Sequence, residues 1–337
     1  MNINIKNWIQ SVLDSNETIA IPIMTHSGIE MIGKNVVDAV TDGRIHYEAV
    51  KILSEKYPSA ASTVIMDLTV EAEAFGAIVD FPVNEVPNVI GRLVSDRESI
   101  ERLRIPDLSQ GRIPQYLLAN KLAAENMDKP VFSGCIGPFS LAGRLFDMSE
   151  IMMEMYINPD VTHLLLQKCT NFILSYCLEM KKQGTQGVII AEPAAGLLSN
   201  DACKEFSSVY VKQIVEAVQD EQFLVILHNC GNTGHCTEAM VYSGAAGYHF
   251  GNKIDMIDAL AACPSDVLVM GNLDPVSVFK MASEDEVYTA TLDLLNKADL
   301  YKNFILSSGC DTPPHVPFEN IDAFYNALIH FNSNTNQ

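Results

Sequence analysis

A chain of 337 residues, 48% hydrophobic and 19% charged, has a globular composition, and it holds no uncharged apolar run near the roughly 18 residues that span a bilayer. Its net charge of -20, without any cluster of Lys and Arg, repels a phosphate backbone and argues against nucleic acid as a partner. The start, M-N-I-N-I-K-N-W-I-Q, lacks the basic flank, apolar core and cleavage site of a secretory signal, so the expected compartment is the cytoplasm and the eight scattered cysteines are expected to be thiols.

In chain order, short β-rich runs bounded by turn residues predict strands over Thr18–Met24, Ser62–Asp67, Val131–Gly137, Gly187–Glu192, Phe223–Cys230, Ala246–Gly251, Val267–Asn272 and Asn303–Cys310. Helical patterns fall between them at Tyr47–Lys56, Pro114–Ala124, Ile151–Lys182 with an Asn-Pro-Asp interruption, Asp201–Val218, Thr237–Tyr242, Pro275–Lys297 with a break at Ser283, and Phe318–Phe331. Strands apolar on both faces that alternate with helices indicate a parallel sheet covered all round. The expected fold class is therefore α/β, a single (β/α)8 TIM-type barrel over 1–337 with an N-terminal helical extension. An open doubly wound sheet is the alternative, but no Gly-rich phosphate fingerprint follows the first strand. The tail N-S-N-T-N-Q reads as a loose end.

Chemistry in such a barrel belongs at the carboxyl ends of the strands. Those ends supply Met24 with His26, Asp67, Cys135, Glu192, His228 with Cys230, His249, Asn272 with Asp274, and Cys310 with Asp311. Cys169, Cys177, Cys203, Cys236 and Cys263 fall on helices or loops and are set aside as primary candidates.

Residues i and i+2 of an extended strand point to one face, so His228 and Cys230 can reach a common point in the barrel mouth. Imidazole nitrogen and thiolate sulfur suit zinc, and a catalytic zinc takes three protein ligands with one position open. Cys310, closing F-I-L-S-S-G-C-D, arrives at the same face as a third candidate. The competing reading hydrogen-bonds His228 to a loop carbonyl and packs both thiols as small apolar groups. Glu192, after four apolar residues in V-I-I-A-E, either pairs with Arg144 or serves beside the metal. Asp67 either caps the next helix or faces the pocket. His26 and His249 read as polar pocket walls or satisfied structural histidines ahead of metal ligands. Together with Arg144 and Asn272 they form the candidate cofactor-binding set, with Glu192 and Asp67 the candidate catalytic pair.

Six stretches carry a resemblance over nearly the whole chain: D-L-T-V-E-A-E-A-F-G-A (67–77), N-E-V-P (84–87), G-P-F-S-L-A-G-R-L (137–145), H-N-C-G-N (228–232), G-N-L-D-P (271–275) and G-C-D-T-P-P-H-V-P-F-E-N (309–320). With these the chain resembles the uroporphyrinogen decarboxylase superfamily, and within it the zinc-dependent corrinoid methyltransferases. The decarboxylases hold a propionate-bearing tetrapyrrole with arginines in a motif like M-R-Q-A-G-R. Here Met24 to Ile29 read M-T-H-S-G-I, with Thr25 and Ile29 where those arginines would stand. The decarboxylase tyrosine falls on Arg144 and its C-terminal histidine on Cys310, while the carboxylate at Asp67 is kept.

The resemblance implies His228, Cys230 and Cys310 as zinc ligands. It further implies methyl transfer between a corrinoid (methylcobalamin) carried by a separate partner protein and a zinc-activated thiol such as coenzyme M. Removal of a methyl from an O- or N-methyl donor is the alternative, and a uroporphyrinogen-type decarboxylase the more distant one. Glu192 is also a candidate to occupy the fourth zinc position when no substrate is bound.

Overall fold

Seven of the expected strands assemble into one curled, all-parallel sheet in the computed structural model, which describes residues 3–335. In chain order the strands are β1 (Ser62–Thr63), the antiparallel hairpin β2 (Ile78–Asp80) and β3 (Asn88–Ile90), then β4 (Val131–Ile136), β5 (Gly187–Ala191), β6 (Leu224–Asn229), β7 (Gly247–Phe250), β8 (Leu268–Leu273) and β9 (Phe304–Ser308). The main sheet runs β1-β4-β5-β6-β7-β8-β9, so consecutive strands pair and the intervening helices lie outside.

The expected first strand over Thr18–Met24 is reduced to one parallel bridge, Ala20 beside Leu306. Pro22 has no N–H to give to a ladder, which prevents a regular strand there. The segment still touches both sheet edges. Ile21 N donates to Leu306 O (3.0 Å), Leu306 N to Ile19 O (3.0 Å), and Ala60 N, ahead of β1, to Ala20 O (3.0 Å).

Side-chain alternation then divides the core in two. Phe132, Ile189, Leu224, Ile226, Met270 and Ile305 form an inner cluster, whereas Val188, Ile190, Val225 and Leu227 face the helices. The inner cluster is covered at the amino ends of the strands by a helix over Ile5–Leu13, started by the Asn4 side chain accepting from Asn7 N. Its Ile5 and Val12 are buried, Trp8 meets the Phe132 ring edge-on at 5.8 Å, and Ile5 N donates to Glu221 O just before β6.

Other departures have local causes. Pro159 divides the long helical pattern into Met148–Ile157 and Pro159–Lys182. Ser283 does not break a helix but starts one, through a capping box with Glu286, so that only Glu284–Ala298 of the expected Pro275–Lys297 is helical. The loose tail is helical through Thr335, with Asn332 bonded to Thr18 N and O; Asn336 and Gln337 lie outside the described residues. Among the described residues no helix is long and apolar enough to cross a membrane, and all eight cysteines are free.

Because the inner cluster is sealed at one end, a void there cannot be filled cheaply. Phe132→Ala is expected to cost about 3–5 kcal/mol in urea unfolding. Ile78→Ala, on the hairpin and 69% exposed, should stay within about 0.5 kcal/mol.

Candidate metal centre

The two-residue period that sends Leu224 and Ile226 inward does the same for His228 at the carboxyl end of β6. The chain then turns back under the control of two asparagines. Asn229 Oδ1 accepts from Gly231 N (2.9 Å) and Asn232 N (3.1 Å), and Asn232 Oδ1 accepts from Gly234 N (2.9 Å) and Cys236 N (3.0 Å). Gly251 backs this loop so closely that a Cβ there would lie 2.6 Å from Cys230 Cα and 2.7 Å from its carbonyl oxygen. Cys310 enters from the end of β9, where Gly309 N donates to Leu273 O (2.7 Å) and the Asp311 carboxylate accepts from Thr25 N (3.0 Å).

One potential ligand atom from each of His228, Cys230 and Cys310 lies within 4.8 Å of the others. Cys310 Sγ is 3.7 Å from His228 Nε2. A tetrahedral zinc with bonds of about 2.3 Å to sulfur and about 2.0 Å to nitrogen would separate two such ligands by about 3.5 Å. The donor set therefore fits that ion, and three ligands leave a fourth position open.

The hydrogen bonds behind His228 also present the correct nitrogen. Ser307 gives its hydroxyl proton to Ile21 O (2.8 Å), so toward His249 Nε2, at 2.9 Å, it can only accept. His249 is fully buried, and desolvation drives its pKa well below the ordinary value, which keeps the ring neutral. With its proton on Nε2, its Nδ1 accepts from His228 Nδ1 at 2.6 Å. The lone pair of His228 is left on Nε2, toward Cys310. The two thiols are coupled as well. A hydrogen bond from the Cys310 thiol pulls Cys230 down to about 4, and the Cys230 thiolate in turn pushes Cys310 up.

Cys230 and Cys310 border a cavity of about 640 Å³ walled by Val89, Ile136, Met148, Pro193, Ala194 and Leu197, with Arg144, Asn252 and Lys253 as polar neighbours. The other sequence candidates are placed differently. His249 lies beneath His228 as its support instead of walling the cavity. His26 donates through Nδ1 to Thr312 O (2.9 Å) and borders a separate small pocket. Asn272 spends its amide on Gly251 O and Ile254 O beside another cleft. Of the four candidate cofactor-binding residues, Arg144 alone lines the main cavity.

Glu192 is neither paired with Arg144 nor grouped with the three ligands. Its oxygens accept from Phe139 N (2.8 Å), Ser140 N (2.9 Å) and Ser140 Oγ (2.7 Å) at the start of the helix Pro138–Phe146. Burial raises it to about 6 against these donors, which favour the carboxylate. Asp67 is buried in an ion pair with Arg112 and accepts from Thr69 N (3.0 Å) and Thr69 Oγ1 (2.7 Å), ahead of the helix Val70–Phe75.

Sequence reasoning passed over Arg112, Glu71 and Ser307, which stand in no recognisable spacing. Arg112 also bonds Glu73 (2.6 Å), Thr69 Oγ1 (2.8 Å) and Val40 O (3.2 Å). Glu71 is fully buried with one oxygen accepting from Ile136 N (3.1 Å), and burial pushes it up to about 8.

Comparison with known proteins adds to this geometry. The sequence profile described as uroporphyrinogen decarboxylase (URO-D) matches residues 18–331. The methylcobamide:CoM methyltransferase MtbA of Methanosarcina acetivorans is 28% identical over 266 residues, covering 77% of this chain and 77% of the relative. A uroporphyrinogen decarboxylase of Coxiella burnetii is 24% identical over 290 residues, covering 82% and 78%. The solved structure of a methyltransferase from Methanosarcina mazei superposes with a TM-score of 0.88 at 22% identity, covering 98% of this chain and 99% of that one, which shows a shared fold.

Two outcomes follow from the site's hydrogen bonds and buried charge. Ser307→Ala removes the acceptor that sets the His249 tautomer, and zinc affinity measured by chelator competition should fall roughly 10- to 100-fold in a folded protein; an unchanged affinity would contradict the relay. Glu71 holds in the folded state a proton that the unfolded chain has lost, so it lowers stability as pH rises from about 4.5 to about 8. Glu71→Gln should flatten that fall, gaining on the order of 1–2 kcal/mol over wild type at pH 8 relative to pH 6 in urea midpoints.

Proposed function

The chain belongs to the uroporphyrinogen decarboxylase (URO-D) family, and from that premise we propose that it is a zinc-dependent methyltransferase. It moves a methyl group between a corrinoid carried by a partner protein and a small thiol such as coenzyme M, in the cytoplasm. The observation that carries this reading is the one-nitrogen, two-sulfur group of His228, Cys230 and Cys310 at the edge of an open cavity. A zinc held there would lower the pKa of a bound thiol, so that it is nucleophilic at neutral pH.

The protein's own residues serve that chemistry in separate ways. Cys230 and Cys310 face the cavity, and His228 closes the ligand set from below, 3% exposed, with its lone pair held forward by His249 and Ser307. The wall formed by Val89, Met148, Pro193 and Leu197 is apolar and suits the approach of a bulky corrinoid face while excluding water from the reacting thiol. Asp67 and Glu192 act as positioning residues. Glu192 fixes the start of the helix that carries Arg144, and Asp67 holds Arg112 in a buried ion pair. A decarboxylase reading is disfavoured by Thr25 and Ile29. Thr25 is buried against Asp311 and Ile29 is buried in an apolar cluster, so neither can anchor the carboxylates of a porphyrinogen.

The purified protein should contain about one zinc per chain by elemental mass spectrometry. With methylcobalamin it should methylate a thiol, followed by the change in cobalamin absorbance. Cys310→Ala should abolish both metal retention and transfer, whereas Cys263→Ala, remote from the group, should keep both. Equal effects of the two substitutions, or turnover of uroporphyrinogen at an enzymatic rate, would overturn the reading.

A further inference from the structure

Three stretches that the metal group leaves almost unused meet in a second cavity, of about 240 Å³. M-T-H-S-G-I contributes His26, N-E-V-P contributes Asn84, and D-T-P-P-H contributes Pro314 and His315, while Glu30 and Lys34 add a carboxylate and an ammonium. His26 is 6% exposed, and only one of its ring nitrogens is used. Nδ1 donates to Thr312 O (2.9 Å) and lies 3.5 Å from Asp311 Oδ2. Nε2, on the other side of the ring, has no hydrogen-bond partner among the described residues and is left for the cavity that the ring lines. A polar atom on so buried a side chain is ordinarily paired. Glu30 is half-committed in the same way. Its Oε1 accepts from His315 N (2.7 Å), with His315 Nδ1 at 3.2 Å, and its Oε2 has no partner among the described residues. The side chains of Lys34 and Asn84, both exposed, are unpaired there too.

The chemistry of this lining selects its occupant. An anion would face the free oxygen of Glu30, and a cation would face Lys34. Among the described residues only His228, Cys230 and Cys310 are grouped closely enough to hold a metal ion, so His26, Glu30 and His315 do not form a second metal site. A neutral group that both gives and accepts hydrogen bonds satisfies every free partner. The oxygen of a primary carboxamide accepts from Lys34 or Asn84, and its two N–H groups donate to Glu30 Oε2 and to the lone pair of His26 Nε2.

Two segments join this cavity to the main one. Asn84 lies in the turn between β2 and β3, held where Val37 N donates to Val83 O (3.1 Å), and Val89 of β3 lines the main cavity. On the other side Cys310 lines the main cavity and His315 the polar one. Thr312, whose carbonyl holds His26, is two residues from Cys310, a chain span of at most about 7 Å. A flat macrocycle brought up to the two ligand thiols therefore has its rim within reach of the polar cavity.

We propose that this cavity receives one of the propionamide arms at the rim of the corrinoid while the face of the macrocycle meets the main cavity. This rests on the reading of the protein as a corrinoid methyltransferase. The bound arm fixes the rotation of the macrocycle over the thiols, and it discriminates against a corrinoid whose arm at that place ends in a carboxylate.

Equilibrium dialysis of the zinc-loaded full chain with free methylcobalamin, followed by corrinoid absorbance, tests this against three derivatives, each with a different propionamide hydrolysed to the acid. One derivative should bind roughly ten- to hundredfold more weakly than methylcobalamin, because its carboxylate meets Glu30, and the other two should bind as methylcobalamin does. Glu30→Gln should bring that one derivative to within severalfold of methylcobalamin, and Asn84→Ala should weaken methylcobalamin itself severalfold. Equal affinity for the three derivatives, a penalty that Glu30→Gln leaves unchanged, or no binding of free methylcobalamin would overturn the proposal. A carboxamide supplied by an Asn or Gln of the carrier protein predicts no discrimination among the free derivatives and would likewise overturn it. Methyl transfer to a thiol is scored separately. Transfer at equal rates from all three derivatives would remove the arm site and leave the methyltransferase reading standing. Selective binding that Glu30→Gln relieves, without transfer to any thiol, would support the arm site and sink the thiol reading alone.

Discussion

His228 and His249 occupy the same rung of two adjacent parallel strands, and the geometry of the site depends on that rung. Parallel register sets the two imidazoles side by side, with ring centroids 4.6 Å apart. The apolar alternation of β6 fixes which way they face. A slip of one residue would turn His228 toward the helices and Leu227 to the inner face of the sheet. Because Leu224 and Ile226 are fully packed inside, that slip would also expose the inner cluster, so the energy that specifies the sheet specifies the ligand direction. The polar chain from Ser307 through His249 then converts a strand register into the orientation of a lone pair.

The buried carboxylates nearest the thiols are each committed to partners of their own or neutral, and of the acidic residues only Asp147 lines the cavity. Glu192 sits at the amino end of a helix, where backbone N–H groups and the helix dipole favour its charge. Asp67 is matched by a guanidinium, and Glu71 is neutral because it is buried. The cavity is left with soft sulfur donors at one side, apolar walls, and the charges of Arg144, Lys253 and Asp147. An ion that prefers nitrogen and sulfur is favoured there over hard cations that require several oxygen ligands.

Much of this was legible in the sequence, for reasons that differ by residue. The parallel strands could be read because each is a short apolar run between turn residues, and the pair at positions 228 and 230 because a strand has a period of two. Cys310 became distinct from the other cysteines through its place at the end of the last strand. The first strand was over-read because Pro22 removes a donor that hydropathy does not register. Several helices escaped notice, among them Thr25–Met31 and Pro138–Phe146, because they are short or buried nearly all round and lack a polar stripe. The bonding partners of Glu192 and His249 were not legible for a different reason. Both lie at strand ends, but the neighbours that capture them, Ser140 and Ser307, are distant in sequence and chemically unremarkable.

On the proposed function, one imidazole and two thiolates would hold a zinc whose open position accepts a thiol. X-ray absorption at the zinc edge addresses it directly. One nitrogen at about 2.0 Å and two sulfurs at about 2.3 Å are expected, with a third sulfur appearing when a thiol ligand is added. A zinc surrounded by oxygen and nitrogen alone, or a sulfur count that stays at two in the presence of saturating thiol, would contradict it.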